Sequence, residues 1–280
     1  MAARPHRPQL TNAARPATFE VEACNERGEM VPTAIAGEHP LTLYLDKREL
    51  VTLMTLGQAP EALAIGYLRN QRLVGSIEDI VAVQVDWETE SAAITTNQKI
   101  DLEKKTEKRT VTTGCGQGTI YGDLMEDVDK VRLRDDLQLS DAQLFVLIEK
   151  VRKYETIYKQ AGAVHGCALA TRNGDILMFV EDVGRHNAVD AIAGLMWLDA
   201  IDGSDKVFYT TGRLTSEMVI KCAQMGIPFL VSRSGLTRMG HDIATRVGLT
   251  MIGRASGRHY LLFTGKHRLQ CIVPQPTALA

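Results

Sequence analysis

The order of segments after Ser140 constrains the fold of this chain more than any other feature. Apolar stretches of strand length alternate there with stretches of helical periodicity. The first helix is predicted over residues 140–162, with Ser140 as its N-cap and Gly162 at its end. The remaining order predicts a hairpin turning at Asn173-Gly174, helices at Arg185–Leu198, SEMVIKCAQM and TRMGHDIATRV, and strands at KVFYT, PFLVS, LTMIG and YLLFT. Strands that alternate with helices form crossover units, so this half is predicted to be an α/β domain with a mixed, largely parallel sheet.

The chain before Ser140 is predicted to be rich in β-strands. HPLTLYLDKRELVTLMTL alternates apolar and polar residues and is divided by a polar turn at Asp46-Lys47-Arg48, which predicts a β-hairpin. Pro60 opens a segment with helical spacing, PEALAIGYLRNQRLV, and further strands are predicted at 80–85 and 92–96. No combination of residues in this half indicates catalysis, so we interpret it as scaffolding.

These patterns divide the chain into regions. Residues 1–30 are expected to be a disordered extension and 31–109 an N-terminal β-rich domain, while 110–122 form a flexible loop and 123–280 the α/β domain. The 280 residues are 45% hydrophobic, which is enough to fill a sizeable core. A net charge of −2 gives no overall attraction for nucleic acid, and no apolar run is long enough to span a bilayer. The N-terminus has no apolar signal segment, so we expect a cytoplasmic protein.

The cysteines indicate a reducing compartment. Their number is odd and no pair has the C-x-x-C spacing, which argues against both a disulfide framework and a cysteine-rich zinc site. Cys115 differs from the others because it lies between two glycines in TVTTGCGQGT, after the charged run DLEKKTEKR. A thiol in such a segment is predicted to be exposed and reactive. An incidental surface thiol is the alternative.

Glycine and arginine recur together where the predicted parallel strands end. The segments after these strands are EDVGRH at 181–186, TGR at 211–213, SRSG at 232–235 and RASGRH at 254–259. Ligands of open α/β sheets bind beyond the carboxyl ends of strands, and arginine donates two parallel hydrogen bonds to phosphate. The repetition therefore predicts a pocket for a phosphorylated, nucleotide-like molecule. The alternative is that these are ordinary turns with solvated arginines.

Two histidines fall close to these strand ends. In EDVGRHNAVD, His186 and Asp190 are spaced to lie on one helix face, and Glu181 precedes them. This stretch indicates either a cluster that orients a ligand or exchanges protons, or a capped helix with an ion-pair network. His165 has apolar neighbours and is predicted to be a hydrogen-bonded core residue, with Cys167 also in the core.

The motifs TGCG, VHGCA, EDVGRHNAVD, RLTSEM and GRASGR occur in this order, and with them the chain resembles the formate dehydrogenase accessory sulfurtransferase family, FdhD. The resemblance runs from about residue 32 to 269. It implies an N-terminal β-rich domain joined to a cytidine-deaminase-like α/β domain, in a cytoplasmic homodimer. It also implies that sulfur comes from a cysteine desulfurase, is held as a persulfide, and passes to the molybdenum cofactor before this enters formate dehydrogenase.

The same resemblance implies roles for individual residues. Cys115 matches the persulfide cysteine, and the cofactor, bis-molybdopterin guanine dinucleotide, is bound cargo. The segment implied in binding it consists of Arg254, Ala255, Ser256, Gly257, Arg258 and His259. Arg213, Arg185 and Arg233 are further candidates to neutralise its phosphates, as the strand-end pattern also suggests. Relatives carry C-x-x-C at the loop, whereas Gly118 stands here at the second position, so the carrier would work with one cysteine.

The deaminase-like fold does not imply deamination, because the H-x-E and P-C-x-x-C signatures of zinc deaminases are missing from the sequence, and we expect no metal site. The leading hypothesis is a sulfur carrier, that is, a sulfurtransferase acting through a cysteine persulfide. A cofactor-binding chaperone without sulfur transfer is the alternative. A cysteine hydrolase is disfavoured, since no histidine has a recognisable spacing to Cys115.

Overall fold

The structure is a computed structural model that describes residues 6–97, Ile100, Val128 and 130–270. The helices in this part of the chain are α1 (Pro60–Asn70), α2 (Asp141–Tyr154), α3 (Ile157–Ala161), α4 (Arg185–Leu198), α5 (Ser216–Gln224) and α6 (Arg238–Val247). The strands of the first half are β1 (Gln9–Leu10), β2 (Thr18–Cys24), β3 (Met30–Ala36), β4 (His39–Leu45), β5 (Arg48–Thr55), β6 (Ile80–Asp86) and β7 (Ser91–Thr96). The second half contains β8 (Leu139–Ser140), β9 (His165–Thr171), β10 (Ile176–Asp182), β11 (Lys206–Thr210), β12 (Phe229–Ser232), β13 (Thr250–Ser256), β14 (His259–Leu262) and β15 (Leu269–Gln270).

The first half contains a five-stranded sheet with the order β1-β6-β7-β4-β5. The predicted hairpin is confirmed as β4–β5, whose two-residue turn places Asp46 and Lys47 at φ 47° and 71°. Positive φ at both central positions twists the turn to match the strands. The predicted helix is also confirmed, with Pro60 in its first turn. It ends at Asn70, and Arg72 at φ 54° then reverses the chain.

The second half contains a six-stranded sheet with the order β10-β9-β11-β12-β13-β14. β10 and β11 are both antiparallel to β9, and β11, β12 and β13 are parallel to one another. Four strands therefore share one direction, which confirms the predicted mixed, largely parallel sheet. Helix α2 covers one face, and α4, α5 and α6 cover the other.

Residues 6–30 do not form the disordered extension that the sequence suggested. Strand β1 pairs in parallel with β6, and β2 forms an antiparallel ribbon with β3. The indole Nε1 of Trp87 donates a 2.5 Å hydrogen bond to the carbonyl of Ala13, which ties this segment to the first sheet. Main-chain pairing with a distant strand leaves little local trace in the sequence, so composition misled the prediction.

The helix predicted over 140–162 is two helices. Its start is confirmed, because the Ser140 hydroxyl accepts from the Gln143 amide in a reciprocal capping box. Helix α2 ends at Tyr154, and Glu155 adopts an extended backbone with its carboxylate 2.9 Å from Arg233 Nη1. A contact with a residue distant in sequence therefore interrupts a locally helical pattern. The end at Gly162 is also confirmed, with φ 63°.

The two halves share one hydrophobic core. It contains buried residues of the first sheet and of α1, such as Leu43 and Leu68, together with Ile192 of α4 and Val219 of α5. Helices α1 and α4 cross at Gly66 and Gly194, which lets their backbones touch. Val128 belongs to this core and Ile100 packs against it. The predicted domain limits at 109 and 122, and the loop between them, lie outside the described residues.

Candidate functional site

The candidate site lies at one edge of the six-stranded sheet. The carboxyl ends of β10, β11, β12 and β13 meet there because these strands run in the same direction. The amino end of β9 reaches the same edge, since His165 pairs with Asp182. The strand-end segments singled out in the sequence therefore start from a common edge of the sheet.

A cavity of about 290 Å³ opens at this edge between the two halves of the chain. The second half contributes His165 and the corner between β10 and α4, from Val183 to Asn187. The first half contributes Glu38 and residues 52–54. Such a volume is at the small end for ligand-binding cavities. Although the sequence suggested only a scaffold there, the first half supplies one wall of the site.

One of the predicted arginines, Arg185, lines the cavity, while Arg213 and Arg233 follow the neighbouring strand ends. Arg233 pairs with Glu155 at 2.9 Å and lies over the ring of Tyr158. Burial, followed by the charges of Arg185, Arg233 and Arg213, lowers the pKa of His165. A Cβ at Gly212 would lie 2.6 Å from Arg185 Cδ, so any larger residue there would displace the Arg185 side chain. Clustered arginines at strand ends favour binding of phosphate or another anion.

His165 is not the core residue that its apolar neighbours suggested. It is half-buried, its Nδ1 lies 3.3 Å from the Thr211 hydroxyl, and it lines the cavity. The central residues of β9 are all buried, and His165 is partly exposed because it lies at the amino end of the strand, where the cavity opens. Cys167 is fully buried, as predicted.

His186 also lines the cavity and is buried at the start of α4. Burial, with the charges of Lys221 and Arg185, lowers the pKa of His186 to about 2. Its Nε2 lies 3.0 Å from the Glu217 carboxylate, but within the described part of the chain neither ring nitrogen makes a hydrogen bond of good geometry. The ring is neutral at pH 7 and keeps one nitrogen that can accept a proton and one that carries it.

The free energy of unfolding should decrease as the pH is lowered from 7 to 5, because of His186. Its folded-state pKa is below the ordinary value of 6.5, so the unfolded chain binds a proton more readily, and the native state loses about 2 kcal/mol between pH 7 and pH 5. Urea unfolding at both pH values checks this for the wild type and His186→Gln, which should lose most of that dependence. His241→Gln, at an exposed histidine, is the control. An unchanged pH dependence in His186→Gln would contradict the neutral, buried ring.

The carboxylates of EDVGRHNAVD have structural partners. Glu181 accepts hydrogen bonds of 2.9–3.0 Å from the amides of residues 156–158 and thereby caps α3. Asp182 accepts from the Thr55 hydroxyl and the Leu56 amide at 2.5 and 3.2 Å, and so joins the two halves. Asp190 pairs with Lys221 and Asn70. These contacts fit the ion-pair alternative and give no support to proton exchange by Glu181.

The predicted binding segment at 254–259 lies at another place on the sheet edge. It forms the turn between β13 and β14, with Ala255 buried and Arg254, Arg258 and His259 exposed. Gly257 and Arg258 line a separate groove beside α2. Only Arg254 approaches the neighbouring strand end, since its amide donates to the carbonyl of Ser234 at 2.9 Å. Among the described residues, the cavity and this turn are therefore two separate surfaces.

The thiols of the described cysteines differ in access. Cys167 and Cys222 are fully buried, and burial raises the pKa of both, that of Cys167 to about 12. Cys24 is exposed at the end of β2. Cys115, the predicted reactive thiol, and Gly118 lie outside the described residues. A buried thiol with a raised pKa is a poor nucleophile, which removes Cys167 and Cys222 as candidates.

Four residues at the site were not predicted from the sequence. Glu217 was part of the RLTSEM motif, but no role was assigned to it, and its contact with His186 joins the starts of α4 and α5. Glu38, Thr52 and Met54 carry no chemical signature in an ordinary strand pattern.

Among the residues that the structure covers, no group of three or more His, Cys, Asp or Glu is placed to hold a metal ion. None of the helices described above is long and apolar enough to cross a membrane.

The fold and site define a mixed α/β protein with two large sheets, in which a cavity lined by Arg185, His165 and His186 lies where the halves meet. The profile of the FdhD/NarQ family matches residues 36–270, and the chain belongs to that family. It is 30% identical over 242 residues to the "Sulfur carrier protein FdhD" of Listeria monocytogenes serovar 1/2a, covering 85% of this chain and 92% of the relative. The protein of the same name from Wolinella succinogenes is 30% identical over 235 residues, 83% of this chain and 81% of the relative.

A solved structure agrees with this assignment. The crystal structure of a putative formate dehydrogenase accessory protein from Desulfotalea psychrophila has a TM-score of 0.76 and 26% sequence identity. The similarity covers 91% of this chain and all of that protein. The family resemblance drawn from the motifs is therefore confirmed, as is the mixed α/β class of the fold.

Proposed function

We propose that this chain is a sulfur carrier that serves formate dehydrogenase in the cytoplasm, as a homodimer. In the proposal, the Cys115 thiolate attacks the outer sulfur of a persulfide on a cysteine desulfurase. The sulfur–sulfur bond of the donor breaks, the desulfurase thiolate leaves, and a persulfide remains on Cys115. This sulfur then passes to the reduced metal of the molybdenum cofactor, bis-molybdopterin guanine dinucleotide, before the cofactor enters formate dehydrogenase. The sulfur–sulfur bond on Cys115 breaks, Cys115 leaves as a thiolate, and the metal supplies the two electrons that convert the outer sulfur to sulfide. Relatives named as sulfur carrier proteins support the first part of the proposal.

One observation carries the cofactor part of the proposal. Arg185 lines a cavity at the strand ends, and Arg213 and Arg233 follow the two neighbouring strands at the same edge of the sheet. A guanine dinucleotide carries phosphates, and bidentate arginines bind phosphate more strongly than neutral donors do. The turn containing Arg254 and Arg258 presents further exposed cations on the same sheet. We assign the cavity to one anionic part of the cargo and the turn to another.

The choice of Cys115 as the carrier rests on its two glycine neighbours and on the three described thiols; Cys271 lies, like Cys115, outside the described residues. Cys167 and Cys222 are buried. Cys24 lies on the β2–β3 ribbon in the first half of the chain, whereas the candidate arginines lie in the second half. Cys115 has glycine on both sides, which leaves room for a second protein to approach its sulfur. Cys24 is therefore the matched control for any experiment on Cys115.

Sulfur uptake by the chain tests the proposal directly. The protein is incubated with a cysteine desulfurase and sulfur-labelled cysteine, and the bound label is mapped by mass spectrometry of peptides. We expect label on Cys115 in the wild type and in Cys24→Ser, and none on Cys115→Ser. Label uptake by Cys115→Ser equal to that of wild type would refute the carrier role.

A second variant separates sulfur uptake from cargo binding. Arg213→Gln should take up sulfur normally but bind GDP, a probe for the guanine and phosphate groups, about tenfold more weakly, because one charged hydrogen-bond donor is lost. If Cys115→Ser instead restores formate dehydrogenase activity fully in cells, the protein is a cofactor chaperone without sulfur transfer. Unchanged GDP binding by Arg213→Gln would place the phosphates elsewhere.

A further inference from the structure

His186 is buried in the wall of the cavity that lies between the two halves, and the residue is only 3% exposed. In the part of the chain that the structure describes, both ring nitrogens are buried without a hydrogen bond of good geometry. A buried nitrogen without a partner destabilises the folded state, so proteins rarely keep one unless a bound group completes it. The position therefore indicates that a group entering the cavity pairs with this ring.

Glu217 determines which nitrogen of His186 carries the hydrogen. The Nε2 atom lies 3.0 Å from an oxygen of the Glu217 carboxylate. Because burial lowers the pKa of His186 to about 2, the ring is neutral and only one of its nitrogens is protonated. A lone pair on Nε2 would repel the lone pairs of the carboxylate at this distance, so the hydrogen is on Nε2. Nδ1 then keeps its lone pair, and it can accept a hydrogen bond but cannot donate one.

The cavity also has a region that suits an anion. Arg185 lines it and is 8% exposed, so water screens its guanidinium charge only weakly. Both residues stand in the first turn of α4, whose N-cap, Gly184, offers no side-chain hydrogen bond. The partial positive charge of this helix end adds to that of the arginine. A positive region for an anion therefore lies next to one acceptor, Nδ1 of His186, for a hydrogen-bond donor.

A nucleotide carries both kinds of group. Its phosphates are anionic, and its ribose hydroxyls and the amino group of guanine each present a hydrogen for donation. The cavity of about 290 Å³ holds a part of such a molecule, which fits a site that reads one phosphate and one neighbouring donor. A site built to pair with a particular hydroxyl or amino group rejects an analogue that lacks it, because the buried acceptor is then left without a partner.

We propose that Nδ1 of His186 accepts a hydrogen bond from a ribose hydroxyl or the guanine amino group of a nucleotide whose phosphate lies beside Arg185. Glu217 is the positioning residue that holds the ring in the required tautomer. This inference rests on the proposed function, because it takes the nucleotide part of the cargo as the occupant of the cavity. It adds the residue that distinguishes this nucleotide from other phosphorylated molecules.

Calorimetric titration of the full chain with three nucleotides tests the proposal. The ligands are GDP, dideoxy-GDP, which lacks both ribose hydroxyls, and inosine diphosphate, which lacks the amino group of guanine. We expect one of the two analogues to bind the wild type about tenfold more weakly than GDP does, because one buried hydrogen bond is lost. The weaker analogue identifies which of the two groups pairs with His186.

Variants assign that discrimination to the ring. His186→Leu should bind GDP and the weaker analogue equally, because the acceptor is gone. His186→Asn, whose side-chain oxygen can replace Nδ1, should keep part of the preference for GDP. Glu217→Gln should reduce the preference, since an amide allows either tautomer of the ring. His241→Leu, at an exposed histidine, is the control and should match the wild type with all three ligands. Circular dichroism of each variant verifies that it is folded.

Two kinds of result would overturn the proposal. If the wild type binds all three nucleotides equally while Arg185→Gln weakens each of them, the cavity holds a phosphate but His186 accepts no hydrogen bond from the ligand, and the proposed function is unaffected. A preference for GDP that persists in His186→Leu would have the same meaning. If the wild type does not bind GDP, or if Arg185→Gln and His186→Leu both bind it like the wild type, the nucleotide does not occupy this cavity, and the assignment of the cavity in the proposed function fails as well.

Discussion

Replacing Gly66 with alanine is expected to prevent the two halves of the chain from packing. A Cβ at this position would lie 1.6 Å from the backbone oxygen of Asp190, and the equivalent atom at Gly194 would lie 1.9 Å from that of Ala62. Backbone atoms cannot move aside as a flexible side chain can, so α1 and α4 must separate. We expect a loss of more than about 3 kcal/mol, a large part of the stability of a typical domain.

Thermal unfolding followed by circular dichroism measures this effect. For a protein of this size a loss of about 3 kcal/mol lowers Tm by about 5 °C. At an exposed position in a helix, changing glycine to alanine would instead stabilise the protein by up to about 1 kcal/mol, so the sign of the change in Tm distinguishes the two cases. Gly235→Ala is the control, because no atom lies within 4 Å of its added Cβ. An unchanged Tm for Gly66→Ala would mean that the two helices do not touch at this crossing.

Replacing Lys221 with methionine should destabilise the protein by about 3–5 kcal/mol, because a buried carboxylate then loses its countercharge. Lys221 Nζ lies 2.7 Å from Asp190 Oδ2, and Asp190 is fully buried and accepts a 2.6 Å hydrogen bond from Asn70. Urea unfolding at pH 7 gives the free energy. Lys150→Met is the control, since its 2.7 Å pair with Asp175 is exposed and should contribute less than about 1 kcal/mol.

The stability of Lys221→Met should depend on pH in a defined direction. Burial raises the pKa of Asp190, and removing Lys221 raises it further. A carboxyl group whose pKa is higher in the folded state stabilises that state at low pH and loses this contribution as pH rises through the folded-state pKa. The deficit of Lys221→Met relative to wild type should therefore shrink as pH falls. Adding Asp190→Asn should recover much of it at pH 7, and a double variant as unstable as Lys221→Met would argue against the pair.

Local signals accounted for much of the fold. The turn at Asp46 and Lys47, the helix start at Pro60 and the cap at Ser140 each depend on residues close in sequence, and each occurs as predicted. The division of 140–162 into two helices depends on Arg233 and Glu181, which are distant in sequence. The pairing of β1 with β6 likewise joins segments about seventy residues apart. Periodicity within a window does not report such contacts.

The candidate site likewise combines features that local sequence predicted with features that depend on contacts distant in sequence. The order of strands and helices predicted that glycines and arginines would gather at one sheet edge, because the ends of parallel strands meet. Arg185 does line the cavity at that edge, while Arg258 lines another groove. The wall formed by Glu38, Thr52 and Met54 was not foreseen, since it depends on how the first half packs against the second.

The sequence by itself determined the class of fold, the family and the residue types at the strand ends, because periodicity, turn chemistry and motif order are local properties of the chain. Only the tertiary structure decided which of those residues share a cavity. It buried His186 as a neutral ring and used Glu181, Asp182 and Asp190 to hold elements together. The physical reason is that burial and charge pairing depend on every element packed around a group, most of which are distant in sequence.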